Sequence, residues 1–368
     1  MRKLTYNAKL IFTTIFFSIV SLISIFSAKA LSNSSLGNIF IKQIIFYAIG
    51  VVVLVFSYYN KKRITKYSTL LYIFFCILLL LLLFMGISIN GSRCWLIIGP
   101  ISFQPSEFMK IILIIEISKV LSKNRSKKNM KKEFKMLLIV FALLLIPSVL
   151  TFLEPDTGVV LIYFIITVGM ILYRGINKKW YLVLLAILGA LGSILVFLLF
   201  YRRELIINFL DNNIFYRLDR ILNWQKQSGY QLENSLITIG SAGLLGFGIN
   251  NVPLYYPEAS TDFIFTTFSS IFGFIGNICL FIAILYFDLN ILKLCRKKIK
   301  KSDEYLLIGL FIMTIYQQIQ NIGMTIGLFP ITGITLPFIS YGGSSLLSYM
   351  FIVGIILRIY KDNYKYIN

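Results

Sequence analysis

Apolar residues in this chain gather into long continuous runs, and polar residues are concentrated in the segments between them. Reading each run as a helix predicts ten spans, at approximately 10–28, 40–58, 67–86, 104–121, 136–153, 158–173, 180–201, 263–290, 304–327 and 337–357. Most runs approach the length of about twenty residues that a helix needs to cross the ~30 Å hydrocarbon core of a bilayer. The pattern therefore predicts an all-α polytopic membrane protein with about ten transmembrane helices.

The basic residues fix the orientation of these spans. If the N-terminus is cytoplasmic, 27 of the 36 Lys and Arg residues lie in segments on the cytoplasmic side. Cytoplasmic loops of membrane proteins carry an excess of basic residues, so both termini are expected in the cytoplasm. This orientation leaves residues 202–262 as one large extracytoplasmic loop.

The large loop contains two patterned stretches. Apolar residues at helical spacing, set between charged ones, predict an amphipathic helix at the outer membrane interface; they are Ile207, Leu210, Ile214, Leu218 and Ile221. Residues 230–248 contain four glycines, a composition that suits close backbone packing or a re-entrant turn.

Composition narrows the classes of function. Of the 368 residues, 58% are hydrophobic and 14% are charged, which excludes a soluble protein. The net charge of +21 is therefore attributed to the basic residues that orient the spans in the membrane. No nucleic-acid partner is expected. The chain has no His, which excludes His-based acid–base catalysis and His-ligated zinc. Its four Cys residues are scattered and indicate neither a disulfide framework nor an iron–sulfur site. Any chemistry must rest on carboxylates, basic side chains or hydroxyl groups.

Carboxylates on the outer side are the strongest candidates, because the chain has only 15 acidic residues. Glu107 follows Pro105 at the start of the fourth span, where a carboxylate complements the helix dipole and can pair with Lys110. Asp262 precedes the eighth span, and helix capping is the favoured interpretation on local sequence. The alternative is a general base at the mouth of a membrane groove, with Glu258 as a second carboxylate.

Two further segments carry polar residues into or beside the spans. Glu154 and Asp156 flank a proline in a short outer turn, for which ordinary turn chemistry is the favoured explanation. The ninth span carries amide side chains that either join helices or line a groove, namely Gln317, Gln318, Gln320 and Asn321. A Gly/Ser run over 340–345 interrupts the start of the last span, so this backbone must be buried in protein or line a cavity.

Five motifs occur in a fixed order along nearly the whole chain. They are Gly91-Ser92-Arg93-Cys94-Trp95 with Gln104-Pro105-Ser106-Glu107 and Lys110; Pro155-Asp156-Thr157-Gly158; Gly229-Tyr230-Gln231 with Ser235; Pro257-Glu258 with Thr261-Asp262-Phe263-Ile264-Phe265; and Asn321-Ile322-Gly323-Met324 with Pro330, Gly333, Pro337-Phe338 and Ser340 to Ser345. Together they resemble the SEDS (shape, elongation, division and sporulation) family of membrane proteins. The resemblance implies that residues 1–368 form a single SEDS-type membrane domain.

The resemblance implies a function. Members of the family polymerise lipid II into glycan strands at the outer face of the bacterial cytoplasmic membrane, for cell elongation or division. The family's catalytic carboxylate falls on Asp262, which would deprotonate the 4-hydroxyl of the acceptor sugar for attack on the donor's anomeric carbon. Polyprenyl pyrophosphate would leave with inversion at that carbon.

The same resemblance supplies candidate binding residues. Besides Asp262 they are Glu258, Arg93, Trp95, Gln104, Glu107, Lys110, Asp156, Gln231, Asn321, Ser340 and Ser344. The pyrophosphate needs cations, and the candidates are Arg93, Lys110, Arg202, Arg203, Arg217 and Arg220. A divalent cation, Mg²⁺ or Mn²⁺, that bridges the pyrophosphate and Asp262 is a further expectation, because hard metals take oxygen ligands.

Two positions depart from the family pattern. Ser260 stands where the family usually has His, and Glu154 stands where it commonly has Gln. The first departure weakens any mechanism that requires that His but leaves the assignment of Asp262 intact. The residues Asn321-Ile322-Gly323-Met324 and the short cytoplasmic tail favour the RodA branch of the family over the FtsW branch.

The resemblance also implies partners. The expected one is a single-span class B penicillin-binding protein, a transpeptidase that crosslinks the emerging strands, together with other membrane proteins of the elongation or division complexes. Gly273 and Gly276 in the eighth span offer a place for close helix approach. Packing within the protein's own bundle is the favoured explanation of this pair, and contact with the partner is the alternative.

Two other functions fit parts of the sequence. A lipid II flippase could use the interrupted last span and the intramembrane polar residues, but it needs polar groups along the whole transit path. The distinctive carboxylates lie instead on the outer side, as a one-sided enzyme requires. A non-catalytic scaffold for a transpeptidase would need no outward-facing base.

Overall fold

Helices form most of the chain. The computed structural model describes residues 2–28, 37–89, 92–99, 101–123, 130–183, 229–297 and 299–363. Its helices are α1 (Arg2–Ala28), α2 (Gly37–Lys66), α3 (Ser68–Met85), α4 (Pro105–Lys123), α5 (Met130–Leu153), α6 (Thr157–Arg174), α7 (Tyr230–Ser241), α8 (Ile264–Cys295), α9 (Lys301–Thr325) and α10 (Gly343–Asp362).

Eight of the described helices are long and apolar enough to cross a membrane, namely α1, α2, α3, α5, α6, α8, α9 and α10. This confirms the predicted helical, multi-pass architecture. The predicted seventh span at 180–201 starts within a helical stretch at 178–183, and its remainder lies outside the described residues. The amphipathic helix predicted over 207–221 also lies outside them.

The fourth predicted span is the central helix of the bundle rather than one of the eight apolar helices. α4 packs against α3, α5, α6, α9 and α10, and most of its residues are buried. Four of its charged side chains pair along the helix: Lys110 Nζ lies 2.8 Å from Glu107 Oε2, and Lys119 Nζ lies 3.1 Å from Glu116 Oε1. Charges inside a membrane are costly to expose to lipid. The surrounding helices therefore enclose α4.

A small antiparallel sheet lies between α3 and α4 as a local addition to the predicted all-α architecture. Its strands are β1 (Ile87–Ile89), β2 (Ser92–Ile98) and β3 (Ile101–Phe103), in the order β1-β2-β3. In the β2–β3 pair, Leu96 lies opposite Phe103. In the sequence, apolar residues that alternate with Ser88 and Ser102 are the pattern that could have indicated these strands. The segment is too short for a span, and strand pairing provides partners for its backbone groups.

A close backbone contact accompanies a break in the first third of α8. Gly273 has φ 61° and ψ −158° inside the helix, and Gly246, in the loop after α7, has φ 78°. The backbone N–H of Phe247 donates to the carbonyl of Ser270 at 2.7 Å, and further backbone bonds join the same two segments. A Cβ atom on either glycine would overlap the backbone of the other segment. Both positions therefore require glycine.

This contact bears on two of the predictions. Residues 230–248, expected to pack closely or turn back, form α7 followed by a turn against the break in α8. Gly273 is buried and packs within the protein's own bundle, as the favoured interpretation held for this position. Gly276 is half-buried, and its role in packing or partner contact stays a prediction.

Replacing Gly273 with Ala should lower the thermal stability of the protein. A non-glycine residue at positive φ costs roughly 1–2 kcal/mol, and the added Cβ would also overlap the backbone of Gly246. The measurement is the apparent Tm of detergent-solubilised protein, followed by the monodisperse peak in size-exclusion chromatography.

Gly240→Ala is the matched control, because a Cβ added there meets no atom within 4 Å. Ala is favoured over Gly inside a helix by about 0.5–1 kcal/mol, so this variant should be as stable as the wild type or more stable. An equal loss of stability in both variants would show that the backbone contact with Gly246 is not the reason why position 273 requires glycine.

Candidate active site

A cavity of about 380 Å³ opens at the predicted outer end of the bundle. Four helices, α4, α6, α8 and α10, begin at its wall. A helix N-terminus carries a partial positive charge, so four of them together favour an anionic ligand. The polar and aromatic side chains of the wall come from distant parts of the sequence: Trp95, Ser102, Gln104, Glu107, Asp156, Thr157, Glu258, Thr261, Asp262, Gln317, Thr332, Thr335, Tyr341 and Ser345.

Asp262 lies just before α8 and is half-buried in the cavity wall. The predicted capping role is wrong, since Phe263 occupies the N-cap position and no side chain caps this helix. Asn321 Nδ2 donates to the backbone carbonyl of Asp262 at 2.8 Å. The backbone of Asp262 is therefore held in place while its carboxylate is left to the cavity.

The surroundings of Asp262 raise the pKa of its carboxyl group from 3.8 to about 7. Burial is the main cause, followed by the negative charges of Glu258 and Asp156. Burial also raises the pKa of Asp156 to about 6, against the opposing effect of the N–H of Val159, which donates to its carboxylate at 3.2 Å. Asp262 therefore exchanges a proton near neutral pH, as a general base must.

The start of α4 follows the sequence prediction. Pro105 is its first residue, and Glu107 lies in its first turn. Lys110 Nζ donates to Glu107 Oε2 at 2.8 Å, and Lys110 is fully buried. Glu107 lines the cavity, whereas Lys110 does not. The charge of Lys110 therefore acts on the cavity from behind the wall, through Glu107.

Four predicted site residues lie behind the wall and hold its backbone. Gln231 Nε2 donates to the carbonyl of Pro257 at 3.0 Å, and Ser340 Oγ donates to that of Thr261 at 2.7 Å. Asn321 binds the carbonyl of Ile334 as well as that of Asp262, and Ser344 Oγ accepts from the N–H of Gln104 at 2.9 Å. These four side chains position the segments that carry the cavity carboxylates.

Comparison with known proteins identifies the fold and its family. The family model for cell cycle proteins of the FtsW, RodA and SpoVE type matches residues 7–365. The chain belongs to this family. It is 33% identical over 371 residues to the probable peptidoglycan glycosyltransferase FtsW of Coxiella burnetii, with 96% of each chain covered. It is 32% identical over 377 residues to stage V sporulation protein E of Bacillus subtilis, with 97% of this chain and 98% of the relative covered.

Solved structures share the fold. The rod shape determining protein RodA of Thermus thermophilus matches with a TM-score of 0.69 and 24% identity over 96% of each chain. A chain from a study of how a peptidoglycan synthase complex coordinates polymerization and crosslinking matches with a TM-score of 0.77 and 23% identity, over 97% of this chain and 98% of that one. The SEDS assignment is thus confirmed, and the preference for the RodA branch stays a prediction.

Of the remaining predicted site residues of this SEDS chain, one lines the cavity and the arginines do not belong to its described wall. Trp95 lines the cavity, but its neighbour Arg93 is exposed on β2 and is not part of the wall. The backbone N–H of Arg93 donates to the carbonyl of Glu154 at 3.2 Å. The other predicted pyrophosphate cations, Arg202, Arg203, Arg217 and Arg220, lie outside the described residues.

The segment between α9 and α10 contributes more to the wall than the sequence interpretation assigned to it. Thr332, Thr335 and Tyr341 line the cavity, and α10 begins only at Gly343 rather than at the predicted residue 337. Phe338 in this segment has φ 66°. The Gly/Ser run and two prolines signalled the interruption, but no pattern within the segment indicated which side chains face the cavity.

Glu154 lies in the predicted turn, but its environment is not that of an ordinary turn residue. Its side chain is fully buried, and both carboxyl oxygens lack a hydrogen-bond partner among the described residues. Burial, and secondarily the charge of Asp156, raises the pKa of Glu154 from 4.5 to about 9. Glu154 is therefore neutral at physiological pH.

Replacing Glu154 with Gln should stabilise the protein at alkaline pH. Between pH 4.5 and 9 the folded state holds a proton on Glu154 that the unfolded state has lost, so the free energy of unfolding falls as pH rises through this range. The variant should raise the apparent Tm by at least about 2 °C at pH 8 and by less at pH 5. The exposed Glu233→Gln is the control and should show no such pH dependence. An increase in apparent Tm that is equal at both pH values would contradict the neutral state of Glu154 in the folded protein.

Proposed function

We propose that this protein is a peptidoglycan glycosyltransferase that polymerises lipid II at the outer face of the bacterial cytoplasmic membrane. Its relatives in Coxiella burnetii and other bacteria carry the name of that activity. The observation that carries the proposal is the placement of Asp262 on the wall of a polar cavity where four helix N-termini converge.

Asp262 is the general base in this proposal. Its carboxylate takes the proton from the 4-hydroxyl of the acceptor sugar, and the resulting oxygen forms a bond to the anomeric carbon of the donor. The bond from that carbon to the pyrophosphate oxygen breaks, and the pyrophosphate leaves with the electron pair. Attack from the face opposite the leaving group inverts the configuration of the carbon.

The leaving pyrophosphate is strongly anionic, and the cavity offers it two kinds of stabilisation. The N-termini of α4, α6, α8 and α10 direct partial positive charge toward it. The predicted arginines of the 202–262 loop are the proposed side-chain cations. The lipid tails would remain at the membrane-facing side of the bundle.

A divalent cation remains part of the proposal. Asp262, Glu258 and Asp156 line one cavity, and carboxylate oxygens are ligands that Mg²⁺ and Mn²⁺ accept. The described residues contain no group of three or more acidic or Cys residues arranged to hold an ion. Asp262 would be the residue that holds the ion, and the ion would supply neutralisation of the negative charge on the leaving pyrophosphate.

The location of the cavity favours a transferase over a flippase. Most of its lining residues lie at or near the predicted outer ends of the helices, and the deepest ones, Ile162 and Gln317, lie no more than about two turns further in. A flippase requires polar groups along the whole path across the bilayer. The non-catalytic scaffold needs no base with a pKa near 7, which Asp262 has.

We further propose that residues 1–368 form one catalytic domain and that it works with a class B penicillin-binding protein. Glycan strands must be crosslinked as they emerge, and a chain of a synthase complex that couples polymerization and crosslinking has the same fold. The partner would belong to the elongation or the division machinery.

Asp262→Asn should abolish glycan synthesis while the protein folds and inserts into membranes, because the amide keeps the size of the side chain but cannot accept the proton. The measurement is polymerisation of lipid II by the purified variant. Asp288→Asn is the matched control, since Asp288 is a buried carboxylate of α8 that lies outside the cavity and contacts Gln318. Near wild-type polymerisation by Asp262→Asn would refute the base assignment.

The rate of polymerisation should rise with pH through about 7, because the carboxylate form of Asp262 is the active one. Glu258→Gln should move the midpoint of this pH–rate curve to lower pH, since removing a neighbouring negative charge lowers the pKa of Asp262. Glu304→Gln, at the opposite end of the bundle, should leave the midpoint unchanged. An unshifted midpoint in Glu258→Gln would disprove the proposed coupling.

A further inference from the structure

A second pocket, also of about 380 Å³, lies at the opposite end of the bundle. The end of α2, the second half of α4, the start of α9 and the end of α10 form it. Five lysines line this inner pocket, namely Lys61, Lys62, Lys66, Lys119 and Lys300. The positive-inside orientation places it on the cytoplasmic side of the membrane.

The acidic groups of the inner pocket are already engaged. The buried Lys61 pairs with Asp303. Asp362, the other lining carboxylate, accepts from Arg358 at 2.9 Å. Lys119 pairs with Glu116, which lies outside the lining. Salt bridges within the protein therefore account for two of the five lysines.

The other three lysines of the inner pocket form no salt bridge within the described residues, although Lys66 Nζ lies 5.2 Å from the centroid of the Tyr67 ring. Lys62, Lys66 and Lys300 are exposed, and no carboxylate of the described chain forms a salt bridge with their ammonium groups. Lys300 also occupies the N-cap position of α9, whose first turn has no side-chain cap. The pocket thus combines a concave shape with positive charge that the described protein does not neutralise.

We infer that the inner pocket binds the phosphate group of an anionic phospholipid from the inner leaflet. Basic pockets between membrane helices on the cytoplasmic side suit anionic headgroups, and Lys binds phosphate as a point charge. Lys62, Lys66 and Lys300 are the proposed contacts. Lys61 holds α2 against α9 through Asp303 and keeps the wall in place.

The neighbouring surface favours a lipid over a free phosphate ion. An apolar groove of about 410 Å³ lies beside the pocket, and Phe108 and Ile112 of α4 line it. Ile115 and Lys119, which line the inner pocket, follow on the same face of α4 at helical spacing. An acyl chain in the groove would therefore lie next to a headgroup in the pocket.

The test is native mass spectrometry of the full-length protein in neutral detergent, with dioleoyl phosphatidylglycerol as the probe. The wild type should retain one phosphatidylglycerol molecule and little dioleoyl phosphatidylcholine. The triple variant Lys62→Gln, Lys66→Gln, Lys300→Gln should bind phosphatidylglycerol at least about tenfold more weakly. The double variant Lys62→Gln, Lys66→Gln should show an intermediate loss and serves if the triple variant is unstable.

The matched control replaces three exposed basic residues on the cytoplasmic side but outside the pocket: Lys178→Gln, Lys293→Gln, Lys297→Gln. This variant should retain the lipid. Equal binding by the pocket variants and the control variant would overturn the inference. Competition by millimolar inorganic phosphate as effective as that by the lipid would show that the pocket takes a soluble anion and would refute the lipid assignment.

Discussion

The hydrocarbon core of a bilayer offers no hydrogen-bond partners, so every polar group at membrane depth must find its partner inside the protein. In this chain α4 carries several charged side chains at membrane depth, and four of them have a partner within the protein. Glu107 pairs with Lys110 near one end of the helix, and Glu116 accepts from Thr69 and Lys119 near the other. Five helices surround α4, and their outer faces are left to meet lipid.

Both candidate sites depend on this central helix. The first turn of α4 forms part of the wall of the outer cavity, and its second half forms part of the inner pocket. The same burial that forces α4 to pair its charges also withdraws water from Asp262 and brings its pKa near neutrality. The electrostatic environment of the proposed base thus follows from how the bundle excludes solvent.

The backbone around the outer cavity is held in unfavourable conformations. Glu258 and Phe338, neither of which is glycine, have φ values of 56° and 66°. Such conformations persist only where surrounding contacts fix them. The side chain of Asn321 binds the carbonyls of Asp262 and Ile334, which lie in the same two segments as Glu258 and Phe338, and the side chain of Ser340 binds the carbonyl of Thr261. These contacts explain why amides and hydroxyls behind the wall belong to the site although they do not line it.

Periodicity and motif content predicted the membrane helices, the pair Glu107–Lys110 and the group of outer carboxylates. Hydropathy could not distinguish α4 from a lipid-facing span, because the difference lies in which helices enclose it. Local pattern also misassigned Asp262 as a cap and Glu154 as an ordinary turn residue. Burial by segments distant in sequence determines both environments, and one sequence alone does not reveal it.

The most direct test of the central claim is to incubate the purified wild-type protein, without any other glycosyltransferase, with lipid II and to analyse the products by size and by linkage. If Asp262 is the base of an inverting transfer, the products will be glycan polymers whose new bonds have the opposite anomeric configuration to the donor. Unreacted lipid II, or polymer with retained configuration, would contradict this mechanism.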